Sequence, residues 1–599
     1  MGSIVAILSR SGPPKTEHAQ RMLEAAPHRG SENSVRVCGH CVLGVSNQSG
    51  FRDAAISSAG STAVVLRGNL DNAPELSATL RDRGYSVESS NPADVAVATF
   101  ACYGAEAPAH MRGDFSGIFT DGTTMSCFRD PIGLRPMFYR DESRIFLAGT
   151  EAKQVAIGAQ LKSEPDLQIL EQIFYSRMSA GMPSAIKGVS RLIQGHVLTA
   201  TVAKGTRLRR YWDPMTYLET ARLSDDDIAE QFAILMDQAV RRMRTGKDVI
   251  LLSGGIDSTT VAAFAAPQQR SLNDRALSAL SAVYPDLPSV DESRYTKTVA
   301  DYLGIELRTR IGKTYPLADL RAWCRLLDGP CPTVSFTDMR NWYTYAHDMG
   351  FNNVLTGEYA ELLFTLHRHL VGHLLTHFRW PSLVRLLARE RALGRAWKNI
   401  GRLILEPFVP GKVANRRSSR RRATEFRYIP EWVDLNKVNE VPVRPDLLRP
   451  VRVRWQELQV LPFEGSALTT EADELCATLS EMTVRRPFAD IDLWQFFLSL
   501  PAEKKFPDLR SKTLVRSLMR GKLPDVILDR RDKTVFNDYM LSHIEYETLR
   551  DFIYHGDYRM PGVNYQRLSE RLGRKDFKLV DWIWANDLAR IHAFLSLWE

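Results

Sequence analysis

The chain has 599 residues, 44% of them apolar and 25% charged, the balance of a soluble globular protein with room for large cores. That composition excludes a mainly disordered, collagen-like or disulfide-stapled chain. The 78 Lys and Arg against 70 Asp and Glu leave a net charge of +8, too small for this length to imply a nucleic-acid partner.

In chain order, residues 1–214 read as strands and turns with helices between them, a mixed α+β domain. Val35–Val42, Ser61–Leu66 and Ser116–Thr120 are short and β-like, Asp121-Gly122 is a hairpin-turn signal, and Ala73–Gly84 has helical character. The stretch Thr216–Ser224 reads as a linker into a second domain, 215–599. There, Asp225–Arg244 carries Ile228, Phe232, Leu235, Met236 and Ala239 at helical spacing. The apolar run Val249-Ile250-Leu251-Leu252 leads into Ser253-Gly254-Gly255 and then a helix-like Ser258–Ala266. Strand, glycine loop and helix open a parallel α/β sheet, which Leu280–Val283 and Asn353–Leu355 would continue. Beyond residue 360 the pattern is mainly helical. A long insertion spans about 365–460, and the basic charge is concentrated there: residues 379–427 hold fourteen Lys and Arg and three Glu, a net of +11.

The sharpest chemical signal is Ser253-Gly254-Gly255-Ile256-Asp257-Ser258. Glycines let backbone N–H groups converge on an anion, and a helix N-terminus adds positive dipole. Two serine hydroxyls can donate to phosphate, and Asp257 can hold Mg²⁺. A plain tight strand-to-helix turn would leave the serines and aspartate unexplained.

This hexapeptide resembles the PP-loop of the ATP pyrophosphatases, which cleave ATP between the α and β phosphates to adenylate a substrate. The segment Gly357-Glu358-Tyr359-Ala360-Glu361-Leu362-Leu363-Phe364 resembles the acidic motif of asparagine synthetases of the B type. So, in the same order, do Asp291-Glu292-Ser293, Pro487-Phe488-Ala489-Asp490, Lys512-Thr513 and Leu523 to Lys533. The resemblance implies a C-terminal PP-loop ATP-pyrophosphatase domain with a parallel sheet and helical insertions. It implies ATP on Leu252, Ser253, Gly254, Gly255, Asp257, Ser258 and Lys512, and Mg²⁺ on Asp257 and Glu361. Tyr359 and Leu362 depart from the motif, where Gly and Glu are usual.

The N-terminal part resembles the glutaminase domain of the same enzymes, an Ntn-hydrolase-like sandwich, through His28-Arg29-Gly30, Arg129-Asp130, Gly133, Arg135-Pro136 and Thr150-Glu151. Its chemistry reads as deleted. The family's Cys after Met1 is Gly2 here, and no thiol is present to attack a glutamine amide. The oxyanion-hole Asn-Gly pair is Arg67-Gly68, a loss worth roughly 3–4 kcal/mol in a working site.

Relatives with a surviving synthetase half and no nucleophile are β-lactam synthetases and lasso-peptide cyclases. The long insertion, and the run Asn415 to Arg422 ahead of Ile429-Pro430-Glu431-Trp432, favour the peptide cyclase. The expected reaction adenylates an Asp or Glu side chain of a leaderless peptide and joins it to the peptide's N-terminal amine as a macrolactam. Glu358 is the expected proton acceptor, and Lys533 the expected stabiliser of the oxyanion. A ribosomal core peptide, a leader peptidase and a leader-binding protein are the expected partners. The rival functions are an ammonia-dependent or β-lactam-type synthetase acting on a small amino acid, and a binding protein with a relict ATP site.

Seven cysteines, few and odd in number, suit a reducing cytoplasm. No apolar run reaches the roughly 18 residues of a membrane span, and no signal peptide is read at the N-terminus. Cys38-Gly39-His40-Cys41 reads as a structural strand with its thiols on opposite faces, not a metal site. His369, His373 and His377, with His367 nearby, read first as a surface or packed helix face, with substrate contact and metal as alternatives. The arginines of 416–422 read first as a solvated loop, then as a partner- or leader-binding surface, and last as a nucleic-acid contact.

Overall fold

In the computed structural model the described residues are 2–160 (less 88 and 90), 163–176, 184–203, 205–273, 275–313, 317, 319–332, 336–364, 370–392, 429–434, 436–437, 467–508, 512–530, 534, 537–574 and 576–599. Lys533, His367, His369 and the arginines of 416–422 lie outside them.

The N-terminal part is a sandwich of two six-stranded antiparallel sheets. One runs Ser190–Arg191, Phe138–Asp141, Ile145–Gly149, Gly2–Ser9, Cys41–Asn47, Glu32–Cys38. The other runs Thr206–Arg210, His196–Thr201, Thr124–Arg129, Gly113–Thr120, Thr62–Leu70, Ala54–Ala59. The first strand shows why. Ile4, Ala6 and Leu8 point between the sheets to meet Val65, Ile118 and Leu198, while Val5 and Ile7 point outward onto Met22, Leu23 and Val155. A strand covered on both faces must be apolar throughout, which is how it reads. The second sheet carries helices on its own outer face, with Leu66, Phe115 and Phe128 packed on Leu76, Val95 and Phe100.

One local reading is corrected. Val35–Val42 is two strands: Glu32–Cys38 turns at Gly39-His40 and returns as Cys41–Asn47, with Cys38 paired to Cys41 across the hairpin. Gly39 sits at φ +54°, where glycine costs nothing. The Cys38 thiol donates to the Ser61 carbonyl at 2.8 Å, and burial pushes the Cys41 thiol up to about 12. Both thiols are structural.

The linker closes at Ser224, whose hydroxyl and the Asp227 carboxylate cap the helix Asp225–Met243 reciprocally. That helix lays Ile228, Phe232 and Met236 against a five-stranded parallel sheet ordered Glu306–Ile311, Ser278–Val283, Asp248–Leu251, Asn353–Leu355, Thr483–Arg485. The strand order reverses direction between Asp248–Leu251 and Asn353–Leu355, which pair in parallel with Ile250 opposite Leu355. At such a switch point the loops leaving the two strands diverge and open a crevice. Among the described residues no helix is long and apolar enough to cross a membrane.

Candidate active site

Both motifs singled out in the sequence leave the sheet at this switch point. After Leu252 the chain turns through Ser253-Gly254-Gly255 into the helix Ile256–Asn273. The Ser253 backbone N–H donates to the Ser258 hydroxyl at 3.0 Å, and the two hydroxyls lie 2.9 Å apart. The serines therefore hold the loop closed upon itself at the start of the helix Ile256–Asn273. The neighbouring strand ends at Leu355, and Thr356-Gly357-Glu358 follow. Gly357 touches the helix directly: a Cβ there would stand 2.6 Å from the Asp257 carbonyl carbon and would collide with the Ser258 nitrogen. Only glycine permits this approach.

Tyr359 takes the next position with φ +73°. An L-residue other than glycine is strained there, by roughly 1–2 kcal/mol. The surrounding packing over-determines it: the ring is buried edge-on to Trp494, and the hydroxyl lies 2.7 Å from that of Thr470. The turn survives the loss of the motif's glycine, and Glu361 stays in place on the short helix Ala360–Phe364.

Lys512 joins the two loops. Its ammonium pairs with Asp257 and lies 3.6 Å from Glu361. A cation thus rests between the two carboxylates expected to bind metal. Lys512 itself has φ +65° and is fixed by its N–H to the Phe364 carbonyl at 3.1 Å. Glu358 is half-exposed and tethered from the protein side. Arg486 donates from Nε to Glu358 at 2.5 Å and from its other arm to buried Asp473, which also accepts from the Tyr343 hydroxyl at 2.6 Å. Burial and the Glu358 charge push Asp473 up to about 7 despite Arg486. Sequence reasoning missed Arg486, Asp473 and Tyr343.

On the opposite side of the glycine loop stand Glu292, Arg530 and Thr534. The Gly254 N–H donates to Glu292 Oε2 at 3.0 Å. Arg530 donates to Glu292 Oε1 at 2.9 Å and to the Gly254 carbonyl at 3.0 Å, with its guanidinium 4.1 Å over the Tyr295 ring. Arg530 and Thr534 flank Lys533 in sequence.

A family model for asparagine synthase matches residues 231–563, more than half of the chain. The chain belongs to the asparagine synthase family. A glutamine amidotransferase domain model matches residues 1–212. The chain is 24% identical over 536 residues to asparagine synthetase [glutamine-hydrolyzing] 3 of Bacillus subtilis, covering 85% of this chain and 82% of that protein. It is 26% identical over 331 residues to the amidase chyE of Penicillium rubens, covering 51% and 48%. Among solved structures, the Bacillus subtilis glutamine phosphoribosylpyrophosphate amidotransferase complexed with ADP and GMP matches at 13% identity and a TM-score of 0.27, over 59% of this chain and 81% of that one. Asparagine synthases are ATP-dependent carbon–nitrogen ligases that release AMP.

In the amidotransferase domain, Gly2 and Arg67 stand where the family resemblance places a nucleophilic Cys and an oxyanion Asn. Gly2 has no thiol, and no space for one: a Cβ there would stand 2.5 Å from both Asp53 Oδ1 and the Ala54 methyl. Arg67, fully buried, donates to the Gly2 carbonyl at 2.7 Å and pairs with Glu474 of the helix Ala467–Leu479 in the synthetase domain. Arg29 and Arg135 reach the same carboxylate at 3.2 and 3.1 Å. Burial opposes the Glu474 charge, but the three arginines outweigh it and hold the group well below the usual range. One turn earlier, Glu471 pairs with Arg129 at 2.9 Å and with Arg191. Residues that carried the glutaminase resemblance now fasten the two domains together.

His373 is fully buried and lies 3.1 Å from both oxygens of Glu219, with the His377 ring tilted against it at a centroid distance of 4.1 Å. It is a packed histidine, as first read. Among the described residues no group of three His, Cys, Asp or Glu is placed to hold a metal.

Proposed function

We propose that this chain is an ATP-dependent lasso-peptide cyclase working on a leaderless core peptide in a cytoplasmic setting. The observation that carries the reading is the pairing of an assembled synthetase crevice with a filled glutaminase centre. A ligase that makes no ammonia must take its amine from elsewhere, and a peptide's own N-terminus is a supply that needs no second active site.

In this reading the N–H groups and hydroxyls of Ser253–Ser258 hold the ATP phosphates. The donor set suits a hard cation: Asp257 and Glu361 are two carboxylates already facing one positive charge, that of Lys512, and they would hold Mg²⁺. Mg²⁺ there would neutralise charge developing on the phosphates. The peptide's Asp or Glu carboxylate attacks the α phosphorus and pyrophosphate leaves with the bridging oxygen's electrons. The N-terminal amine then adds to the acyl carbon, AMP departs with the other electron pair, and the amine's proton passes to Glu358. Arg486 holds Glu358 in its carboxylate orientation throughout. Lys533 is assigned to the tetrahedral oxyanion. Holding amine and acyl group at near-attack distance supplies roughly 7–11 kcal/mol, against a few kcal/mol of ring-closure entropy. A precursor's leader peptidase and leader-binding protein would act before this step.

The test is the intact mass of a linear peptide with N-terminal Gly and an acidic residue some turns of chain later, incubated with the protein, ATP and Mg²⁺. Loss of one water, absent in Asp257→Asn and Lys533→Ala, supports cyclisation. Amide formation from a small amino acid and ammonium instead would replace it with the ammonia-dependent reading that the asparagine synthetase relatives suggest.

A further inference from the structure

The geometry points to Glu292 as an internal occupant of the phosphate cradle, a carboxylate that ATP must displace before it can seat. This inference rests on one part of the reading above, that ATP binds the Ser253–Ser258 loop, and on nothing about the peptide.

In this loop the Gly254 N–H is spoken for: it donates to Glu292 Oε2 at 3.0 Å. The other oxygen, Oε1, accepts from Arg530 at 2.9 Å and from the Thr534 hydroxyl at 2.7 Å. Glu292 therefore presents a fully coordinated anion at the glycine loop, with a backbone N–H, a guanidinium and a hydroxyl as its donors. Those are the donors a phosphate takes. The carboxylate is only 17% exposed and Arg530 only 7%, so solvent weakens the arrangement little. Glu292 is also placed by packing: its β-carbon would stand 3.1 Å from a Cβ at Gly254, and Tyr295 and Arg530 wall the same side.

An anion held on the cradle has two effects on a polyanionic ligand. It occupies a donor the ligand needs, and its charge repels the ligand. On displacement Arg530 keeps its position over Tyr295 and gains a phosphate in place of the carboxylate. Glu292 then sets the affinity of the empty loop, and Arg530 and Thr534 set how firmly Glu292 holds it.

Isothermal titration of the full chain with Mg·ATP and, separately, with inorganic pyrophosphate tests this. Glu292→Gln should tighten both by roughly five- to tenfold, about the net worth of one ordinary hydrogen bond. Thr534→Val, which loosens Glu292 without changing charge, should tighten both by about twofold. Unchanged or weaker pyrophosphate binding in both variants overturns the inference. A change confined to ATP would place Glu292 on the nucleoside instead, and also overturns it. If Glu292→Gln does not fold, as judged by circular dichroism, the Thr534→Val result decides alone. Failure of the wild-type chain to bind either ligand would strike the ATP-site reading itself, a separable result.

Discussion

Asp473 and Glu474 are neighbours on one helix and answer to different sites. Asp473 turns inward to Arg486, behind Glu358, while Glu474 reaches across the domain boundary to Arg29, Arg67 and Arg135. The helix that locks the N-terminal domain in place also backs the acid loop of the crevice.

Glu474→Ala should be among the most damaging single changes. It leaves three buried guanidinium groups short of a carboxylate, an effect of about 3–5 kcal/mol. Urea unfolding at unchanged m should show the midpoint falling accordingly. A shift worth under about 1 kcal/mol would mean that the arginines are served by Asp53, Asp114 and Glu151 alone.

Gly2→Cys should not revive glutamine hydrolysis. The new side chain meets Asp53 and Ala54, overpacking worth roughly 1–3 kcal/mol, and Arg67 stands where an oxyanion donor would be needed. Glutamate release from glutamine should stay at background while the melting temperature drops. Measurable glutaminase activity would refute the account of a filled centre.

Glu219 should make the insertion acid-labile. Burial opposes its charge, but the His373 hydrogen bond, with Arg379 and the Ala502 N–H, lowers it from 4.5 to about 2. A lowered carboxylate stabilises above its unfolded value and loses that stability as pH falls toward its folded one. The contribution, roughly 3 kcal/mol, should fade between about pH 4.5 and 2. Melting curves of wild type and Glu219→Gln across that window should converge at the acid end.

Asp473 carries the opposite sign. Burial lifts it to about 7, so ionising it costs the folded state progressively as pH rises from about 4 to 7. Asp473→Asn should remove that slope, seen as the difference in melting temperature between variant and wild type at each pH. Parallel curves would place Asp473 at its ordinary value.

Glu358→Gln should separate the two half-reactions of the proposed cyclisation. Pyrophosphate release with a peptide substrate should persist while macrolactam formation falls by about 10²–10⁴. Equal loss of both would move Glu358 to carboxylate activation.

How much of this was legible in the sequence follows from how far apart the partners lie. That Ser253–Ser258 and Gly357–Glu361 each follow a strand and lead into a helix was legible because each motif is contiguous in the chain. Arg486 with Glu358, Glu474 with Arg67, and Glu219 with His373 are separated by more than a hundred residues, and no local pattern announces them. The strand Glu306–Ile311 went unread because it is an exposed sheet edge, and its polar sequence lacks the apolar run that marked its neighbours. The Cys38–Cys41 hairpin had a signal, glycine opening a two-residue turn between two β-like segments, which the thiols obscured.

Gly357 acts as a fixed gauge. The contact it makes with Asp257 and Ser258 is backbone against backbone, so no rotamer change lengthens it. Under the proposed function, the span from the Ser253–Ser258 loop to the Gly357–Glu361 turn is therefore one dimension for every substrate. Discrimination among substrates falls to the walls around that span, and a lineage changing its substrate would redraw those walls before it touched this floor.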